Sequence, residues 1–490
     1  MKRKLLFIVL FIFAITCINA SAKKELFKIS QQNETNQLWE NEIIPGEITI
    51  MFKDNAKKSE KEQLLLEMGC YISYTSPYLG FHKVIIPENS GVKEIVEIFN
   101  TFKIVKFAEP NVMAHAFWTP NDQFYSYQWH FDAQHLNMPA AWDIEQGGNS
   151  SVKVAVIDSG VAYENYTIPA HEQGEVYSPN GQYHQAPDLS GTNFTNGYDF
   201  VNNDNHANDE NGHGTHCAGT IAQTTNNGTG VAGMAFNTTI MPIRVLDHSG
   251  SGSTQWIADG VAFAYQNGAD ILSMSLGGAP GDATGWEVVH TALINAVNSG
   301  SIPVIAAGNS GDGVLSYPAG YDECIAVAST DYDDDLAPYS QYGAGLDISA
   351  PGGNTNEDLN SDGYQDGVLQ NTFSDAMSEP PHDVSSFDYL FFQGTSMATP
   401  HVAGLCALLV SHGITGFDNV TSAIYETATD LGSAGYDQTY GWGMINPVNA
   451  LNWTGGGSTT LLDEGFESGS ATGWLSIYLL MMIMMDMVGL

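Results

Sequence analysis

Residues 152–161 read VKVAVIDSGV, an apolar run that ends at the acidic residue Asp158. The apolar side chains are continuous rather than alternating, which is typical of a strand in a parallel sheet covered on both faces. Four similar runs follow along the chain, at 239–246, 269–276, 302–309 and 324–330. The segments between the runs are long enough for right-handed helical crossovers. The sequence therefore predicts an α/β fold with a doubly wound parallel sheet, whose functional site lies at the carboxyl ends of the strands.

Three residues near these strand ends form a candidate nucleophilic site: Asp158, His213 in GHGTHCAGT, and Ser396 in GTSMATPHVAG. A serine hydroxyl is a weak nucleophile unless an imidazole takes its proton, and the imidazole needs a buried carboxylate to orient it. A helix that starts at the serine would favour developing negative charge. Taken singly, the three could be helix caps or loop residues. Together they stand in an Asp, His, Ser order that is one of three known for convergent triads.

Four segments carry a resemblance to a known family: VAVIDSGV at 154–161, NGHGTHCAGT at 211–220, AAGNS at 306–310, and GTSMATPHVAGLCALL at 394–409. They resemble the signature segments of the subtilase family of serine endopeptidases, and the resemblance covers residues 119–453. It implies a subtilisin-like sheet that hydrolyses peptide bonds in protein or peptide substrates, without an organic cofactor. An inactive secreted binding protein on the same scaffold is the alternative, although such a scaffold would usually lack a triad residue.

The resemblance also assigns roles to individual residues. Asp158, His213 and Ser396 would form the catalytic triad, and Asn309 would donate to the oxyanion together with the backbone N–H of Ser396. Residues Ser275, Leu276 and Gly277 lie where the family has its substrate-binding edge strand. An exposed strand edge binds an extended peptide through main-chain hydrogen bonds, so broad specificity is expected.

The N-terminal part of the chain predicts export and a propeptide. Residues 1–22 combine KRK, the apolar run LLFIVLFIFAIT and the small residues NASA, which is typical of a secretory signal peptide. The apolar run is shorter than a membrane-spanning helix, so we expect a secreted protein with no stable membrane span. Residues 23–118 resemble the family's propeptide, with a β-α-β-β-α-β ferredoxin-like core at about 46–110. A propeptide of this kind acts as an intramolecular chaperone and inhibitor, and we expect self-cleavage between about 111 and 119.

The distribution of charged residues also changes near residue 118. The chain has 16 Lys and Arg against 55 Asp and Glu. Fourteen of the 16 basic residues lie in 1–118, so that 119–490 holds only Lys153 and Arg244. A body this acidic argues against nucleic acid or an anionic membrane as a partner. It is compatible with bound calcium or with adaptation to salt.

One acidic segment has the spacing of a calcium loop. Asp358, Asn360, Asp362, the carbonyl of Tyr364, and Asp366 stand at alternate positions. The match is incomplete because Leu369 occupies the place of the last ligand, and an acidic solvated loop is the alternative interpretation. Asp199 and Asp204 resemble a second calcium site of the family.

The last residues, 454–490, change character abruptly. GGGS at 455–458 predicts a flexible linker, and 461–474 resembles the first strand of an appended β-sandwich module. The Met-rich run after it differs from the rest of the body in composition. We interpret 454–490 as a linker and a truncated or frameshifted module, with a genuine apolar tail as the alternative.

Overall fold

The structure is a computed structural model that describes residues 43–87, 90–112, 118–174 and 176–455. The predicted signal peptide at 1–22 and the predicted module beyond residue 455 lie outside the described residues. The predicted domain boundaries near 22, 118 and 453 stay predictions.

An N-terminal unit has the predicted ferredoxin-like order of elements. They are β1 (Ile43–Phe52), α1 (Lys58–Glu67), β2 (Tyr71–Thr75), β3 (His82–Ile85), α2 (Val92–Thr101) and β4 (Val105–Val112). The strands form an antiparallel sheet in the order β2-β3-β1-β4. Alternate residues Ile48, Ile50 and Phe52 of β1 are buried against Phe99 of α2, which is why the unit has its own small core.

The second unit is built on a larger sheet. Its strands are β5 (Lys153–Asp158), β8 (Asn193–Phe194), β9 (Tyr198–Asp199), β10 (Thr239–Arg244), β11 (Ile271–Met274), β12 (Ile302–Ala306), β13 (Ile325–Thr330) and β14 (Ile348–Pro351). The order is β14-β13-β12-β11-β5-β10-β8, with β9 also paired to β10, and every pairing is parallel. The predicted parallel α/β sheet is confirmed.

Helices cover both faces of this sheet. They are α3 (Met138–Ile144), α4 (His213–Ala222), α5 (Thr254–Gln266), α6 (Glu287–Asn298), α7 (Thr395–Ser411), α8 (Phe417–Thr427) and α9 (Pro447–Leu451). Val154 and Val156 of β5 pack on the face that carries α4 and α7, and Ala155 and Ile157 pack on the face that carries α5 and α6. A strand buried on both faces has no polar alternation, which explains its continuous apolar sequence.

Strand β5 lies at the point where the strand order reverses. The chain leaves β5 toward β8, β9 and β10 on one side, and then crosses to β11 on the other. A crevice forms at such a point outside the carboxyl ends of the strands, where Asp158 ends β5.

Two antiparallel hairpins lie outside the large sheet. The first pairs β6 (Tyr166–Thr167) with β7 (Gln182–Tyr183), and the second pairs β15 (Val368–Phe373) with β16 (Phe387–Phe392). The second hairpin leads directly into α7. Among the helices that the structure describes, none has the length and apolarity needed to cross a membrane.

Candidate active site

The carboxylate of Asp158 is buried at the end of β5. Only 1% of the residue is exposed. Its Oδ1 accepts hydrogen bonds from the backbone N–H of Ser159, at 2.7 Å, and from His213 Nδ1, at 2.8 Å. Its Oδ2 is buried and has no partner in the described structure. The carboxylate is therefore positioned to orient the imidazole.

His213 is the first residue of α4, and the turn before it depends on a glycine. Gly212 has φ 96°, and a side chain there would collide with Thr372 and Ala376. Burial alone would lower the pKa of His213, but the charge and hydrogen bond of Asp158 outweigh it and raise the pKa above its usual 6.5. Because Nδ1 donates to Asp158, Nε2 is left as the basic nitrogen.

Asp209 supports this turn, and the sequence analysis did not single it out. The residue is buried, and its carboxylate accepts from the backbone N–H of Gly212 and Thr215 and from the hydroxyls of Ser159 and Thr215. It thus connects the residue after Asp158 to the first turn of the histidine helix. An aspartate four residues before the histidine, in a polar run, is the only sequence signal for this role.

Ser396 is the second residue of α7, at the N-terminal end where backbone N–H groups are free. Its Oγ lies 3.4 Å from the carbonyl oxygen of Ser275, and its own carbonyl accepts from Ser275 Oγ at 2.9 Å. Cys217 Sγ donates to the same carbonyl oxygen. It also lies within 4.8 Å of a carboxylate oxygen of Asp158 and of a ring nitrogen of His213. The fold therefore brings the three predicted residues into one site.

Asn309 lies beside the N-terminal end of α7, with its side-chain amide oriented by Thr395. Its Oδ1 accepts from both the backbone N–H and the hydroxyl of Thr395, at 2.9 Å each. This leaves Nδ2 free to donate. A Cβ placed on Gly394 would lie 3.5 Å from both Asn309 Nδ2 and the backbone N of Ser396. Both nitrogens therefore lie close together, at ordinary van der Waals distance from that position.

The described unit with this site matches a known family. A model of the subtilase family matches residues 149–443, more than half of the chain. The chain belongs to the subtilase family. Residues 29–111 match a model of the fervidolysin N-terminal prodomain.

Proteins with similar sequences agree with the matches to the subtilase and prodomain models. The chain is 35% identical over 415 residues to a thermophilic serine proteinase of Bacillus sp. (strain AK1), covering 84% of this chain and 88% of that protein. It is 37% identical over 338 residues to thermitase of Thermoactinomyces vulgaris, covering 69% of this chain and 100% of that protein. A solved protease structure from Pseudoalteromonas arctica PAMC 21717 is 32% identical, with TM-score 0.56, and covers 68% of this chain and 99% of that one. The chain is accordingly a serine-type endopeptidase with a prodomain.

Residues Ser275, Leu276 and Gly277 of this subtilase continue from the end of β11, beside Ser396. Ser275 and Leu276 are buried, whereas Gly277 is exposed. The backbone N–H of the next residue, Gly278, donates to Tyr317 O at 2.8 Å. The segment therefore lies next to Ser396, and its role as an edge that binds peptide backbone stays a prediction.

Two further histidines in the signature segments are buried and contact backbone carbonyl oxygens. His216 Nε2 lies 3.0 Å from Val368 O and 3.2 Å from Leu390 O, and burial lowers its pKa to about 3. His401 Nδ1 contacts Met397 O at 2.8 Å, and burial lowers its pKa to about 4. Both remain neutral near pH 7 and hold backbone segments in place.

The first candidate calcium loop of this subtilase has its side-chain oxygens bound to its own backbone. The carboxylate of Asp358 accepts from the N–H of Asp362 and Gly363, and Asn360 Oδ1 also accepts from Asp362. Asp366 is 1% exposed, and its Oδ1 is buried without a partner in the described structure. Leu369, which occupies the position where the last calcium ligand is expected, is buried within β15. The loop therefore ends at Asp366.

The second predicted calcium site, Asp199 and Asp204, also has carboxylate oxygens that accept hydrogen bonds within the chain. Asp199 Oδ2 forms an ion pair with Arg244 Nη1 at 2.9 Å, and its Oδ1 accepts from two backbone N–H groups. Asp204 Oδ1 accepts from the N–H of His206. The guanidinium therefore competes with a cation for Asp199, and the assignment of calcium to Asp199 and Asp204 stays a prediction.

A different pair of carboxylates converges elsewhere in the unit. Asp122 and Asp188 are both buried, and burial raises the pKa of Asp188 to about 6. Asp122 accepts from the N–H of Asn227, whose side-chain amide donates to Asp188 Oδ1 at 2.9 Å. Carboxylate and amide oxygens are the ligands that calcium prefers. Sequence reasoning missed this pair because its members lie far apart in the chain.

Proposed function

We propose that this subtilase hydrolyses peptide bonds with Asp158, His213 and Ser396 as its catalytic triad. The observation that carries the proposal is the 2.8 Å hydrogen bond between His213 Nδ1 and the buried Asp158, beside a serine at a helix start. A residue of the required type stands at each position of the proposed triad, which supports an active peptidase over an inactive binding protein.

The mechanism follows from these positions. Ser396 Oγ attacks the peptide carbonyl carbon while His213 Nε2 takes the hydroxyl proton, and Asp158 stabilises the imidazolium that forms. The new oxyanion accepts from Asn309 Nδ2 and the backbone N–H of Ser396. His213 then donates its proton to the departing amine. Water hydrolyses the acyl-enzyme by the same steps, with His213 again as the base.

Substrate binding in this proposal is mainly a main-chain interaction. An extended peptide would lie along Ser275, Leu276 and Gly277, of which Gly277 is exposed, and would meet backbone groups rather than charged side chains. Recognition of this kind depends little on side-chain identity. Broad specificity is therefore part of the proposal.

The proposed precursor is a secreted zymogen. Residues 1–22 would be removed on export, and 23–118 would serve as folding template and temporary inhibitor until the enzyme cuts its own chain. The match of 29–111 to a prodomain model and the ferredoxin-like fold of 43–112 support this part.

Calcium is the proposed structural ion, without a role in the chemical steps. The residues at 358–366 support it by the chemistry of their donors, which are carboxylate, amide and carbonyl oxygens. One buried carboxylate oxygen of Asp366 lacks a partner among the described residues. When bound, the ion would neutralise this cluster of like charges. Asp122 and Asp188 offer a second oxygen-rich place.

A fluorophosphonate probe tests the function, because it labels only an activated serine. We expect labelling and casein hydrolysis by the native sequence, and loss of both in Ser396→Ala by about 10⁶. The Ser396→Ala precursor should also keep residues 23–118 attached. Ser299→Ala, which changes an exposed serine after α6, serves as the control and should behave as the native chain. Normal processing by purified Ser396→Ala protein would refute the proposal.

A further inference from the structure

A cluster of buried polar side chains joins the hairpin β6–β7 to the turn that carries His213. Tyr183 of β7 is 3% exposed, and Glu172, which lies between the two strands, is 2% exposed. Glu210, three residues before His213, is fully buried. The hydroxyl oxygen of Tyr183 lies 2.5 Å from Glu172 Oε2 and 2.5 Å from Glu210 Oε1. One hydroxyl therefore connects the hairpin to the turn before the catalytic base.

The two contacts of the Tyr183 hydroxyl need one more proton than the hydroxyl can supply. A tyrosine hydroxyl has a single proton and donates one hydrogen bond, whereas an ionised carboxylate can only accept. If Glu172 and Glu210 were both ionised, one of the two oxygen–oxygen contacts would contain no proton, in a place from which water is excluded. One carboxyl must therefore be protonated and donate to the oxygen of Tyr183.

Arg244 indicates which of the two carboxyls is ionised. Its Nη1 donates to Glu210 Oε1 at 2.9 Å, and its Nη2 donates to Glu210 Oε2 at 2.5 Å. A bidentate pair of this kind is typical of an ionised carboxylate. Glu172 has a weaker cationic neighbour, since its Oε1 lies 3.3 Å from Nε2 of the exposed His171. The proton is therefore held on Glu172, which donates to Tyr183, while Tyr183 donates to Glu210.

The surroundings of this pair carry more negative than positive charge. Asp199 shares the guanidinium of Arg244, with its Oδ2 2.9 Å from Nη1. Burial raises the pKa of both Glu172 and Glu210, and the charge of Arg244 offsets only part of that rise. The titratable groups that face the pair are Tyr166 and Tyr183 of the hairpin, His171 beside Glu172, Arg244 of β10, Asp199 of β9, and Asp204.

The turn that contains Glu210 determines where the imidazole lies. The preceding residue, Asp209, accepts from the backbone N–H of Gly212 and of Thr215, on either side of His213. A displacement of Glu210 would move Asp209 with it, and the turn would lose the contacts that start α4. The hairpin β6–β7 therefore bears directly on the position of the base.

We propose that one proton, held by Glu172 and shared with Glu210 through the hydroxyl of Tyr183, fastens the hairpin β6–β7 to the turn that positions His213. Glu210 is then a positioning residue, which acts through the turn and does not touch the substrate. Loss of the proton leaves two carboxylates on one hydroxyl, so the hairpin and the turn open more often. These contacts do not depend on the proposed peptidase function, and only their effect on catalysis rests on it.

The direction of the pH effect follows from the number of bound protons. In the open state Glu172 releases its proton near the ordinary glutamate pKa of 4.5, whereas in the closed state its raised pKa keeps the proton to higher pH. Opening therefore releases one proton between these two values, and its equilibrium constant rises by about tenfold per pH unit. Below the lower value both states keep the proton, and the dependence on pH disappears.

Hydrogen–deuterium exchange of the full-length Ser396→Ala chain tests the inference, because this chain cannot digest itself. Exchange in 166–174 and in 209–213 is compared with that of Glu172→Gln in the same chain at the same pH, so that intrinsic exchange cancels. The amide of this variant stays uncharged and can still donate to Tyr183. From about pH 5 upward, the ratio of parent to variant rates should rise by about tenfold per pH unit in both segments.

Two further variants in the Ser396→Ala chain identify the cluster. Tyr183→Phe keeps the ring but removes the bridging hydroxyl, and should exchange at least about fivefold faster than the parent at about pH 5. Glu287→Gln removes an exposed carboxyl from the first turn of α6 and should behave as the parent at every pH. A ratio of parent to Glu172→Gln rates that does not change with pH would overturn the shared proton.

Two other outcomes would also overturn the inference. A pH response in 166–174 without one in 209–213 would refute the coupling to the histidine turn. Exchange in Tyr183→Phe no faster than in the parent would refute the bridge.

Infrared difference spectra with ¹³C-labelled glutamate give a readout of the proton itself. At about pH 6, where an exposed glutamate is ionised, the Ser396→Ala chain should show the C=O band of a protonated glutamate carboxyl. The band should be lost in Glu172→Gln and kept in Glu287→Gln, and its persistence in Glu172→Gln would refute the assignment. Fluorophosphonate labelling of the chain that retains Ser396 tests the peptidase function separately. Failure of that labelling would refute the function, whereas the exchange and infrared results would still decide the shared proton.

Discussion

The two folded units of this chain contrast in sheet type, core and charge. The N-terminal unit has an antiparallel sheet and one small buried cluster, and 1–118 holds 14 basic and 13 acidic residues. The catalytic unit has a parallel sheet with a core on each face, and 119–490 holds 2 basic and 42 acidic residues. Parallel pairing requires distant segments to meet, and like charges oppose compaction. The comparison suggests that the small unit folds readily and the large unit needs help.

Refolding should show the largest difference between the units. Residues 119–490 alone, diluted from denaturant, should regain peptidase activity at least about two orders of magnitude more slowly than the full chain, because the long-range sheet lacks its template. Adding 23–118 as a separate chain should restore the rate, measured by casein hydrolysis. The same segment with Ile48→Asp, which disrupts its core, is the control and should not help. Equal refolding rates with and without 23–118 would contradict the template role.

Asn309→Ala should lower kcat by about 10²–10³, which is the loss known for the oxyanion-hole amide of the relative subtilisin. If the catalytic unit cuts the junction between the two units, the release of the prodomain should slow by a similar factor. Casein turnover and a time course of processing measure the two rates. Asn298→Ala, at the exposed end of α6, is the matched control. A large loss on casein with normal processing would mean that another protease separates the units.

Trypsin should cleave the two units at different rates, because their lysine and arginine side chains differ in exposure. Lys58 in the N-terminal unit has 89% of its side chain exposed, whereas Arg244 in the catalytic unit is 1% exposed and ion-paired. In the Ser396→Ala chain we expect cleavage of the prodomain while a fragment of the size of 119–490 persists on a gel. Rapid cleavage at Arg244 would show that the catalytic unit opens far more often than its burial implies.

The smallest expected effect is an opposite shift of two histidine pKa values. In the N-terminal unit, burial and the charge of Lys61 lower the pKa of His82. In the catalytic unit, Asp158 overcomes burial and raises the pKa of His213 above 6.5. Because the base must be neutral, kcat/KM should fall as pH drops through an apparent pKa above 6.5. A profile with its acid limb at or below 6.5, or His82 titrating above it by NMR, would contradict the two shifts.

Much of the fold could be predicted because its signals are local. Continuous apolar runs indicated the parallel strands, and the ferredoxin-like order followed from alternation in β1 and a helix stop at Gly69. The roles of Asp209 and Asp122 could not be predicted, since their partners meet only in the folded chain. The ion pair of Asp199 could not be predicted for the same reason, because the sequence does not show that Arg244 turns inward to meet it.

Lys153, at the start of β5, has a practical consequence. It is the only lysine in 119–490, and its Nζ donates to Asn267 O near the surface. Asp158 lies at the opposite end of the same strand, about 16 Å away at the usual rise of a strand. Apart from the new N-terminus, amine-reactive chemistry on the processed enzyme would thus have one point of attachment. A resin coupled there would hold every molecule in one orientation, with the catalytic crevice facing the solution.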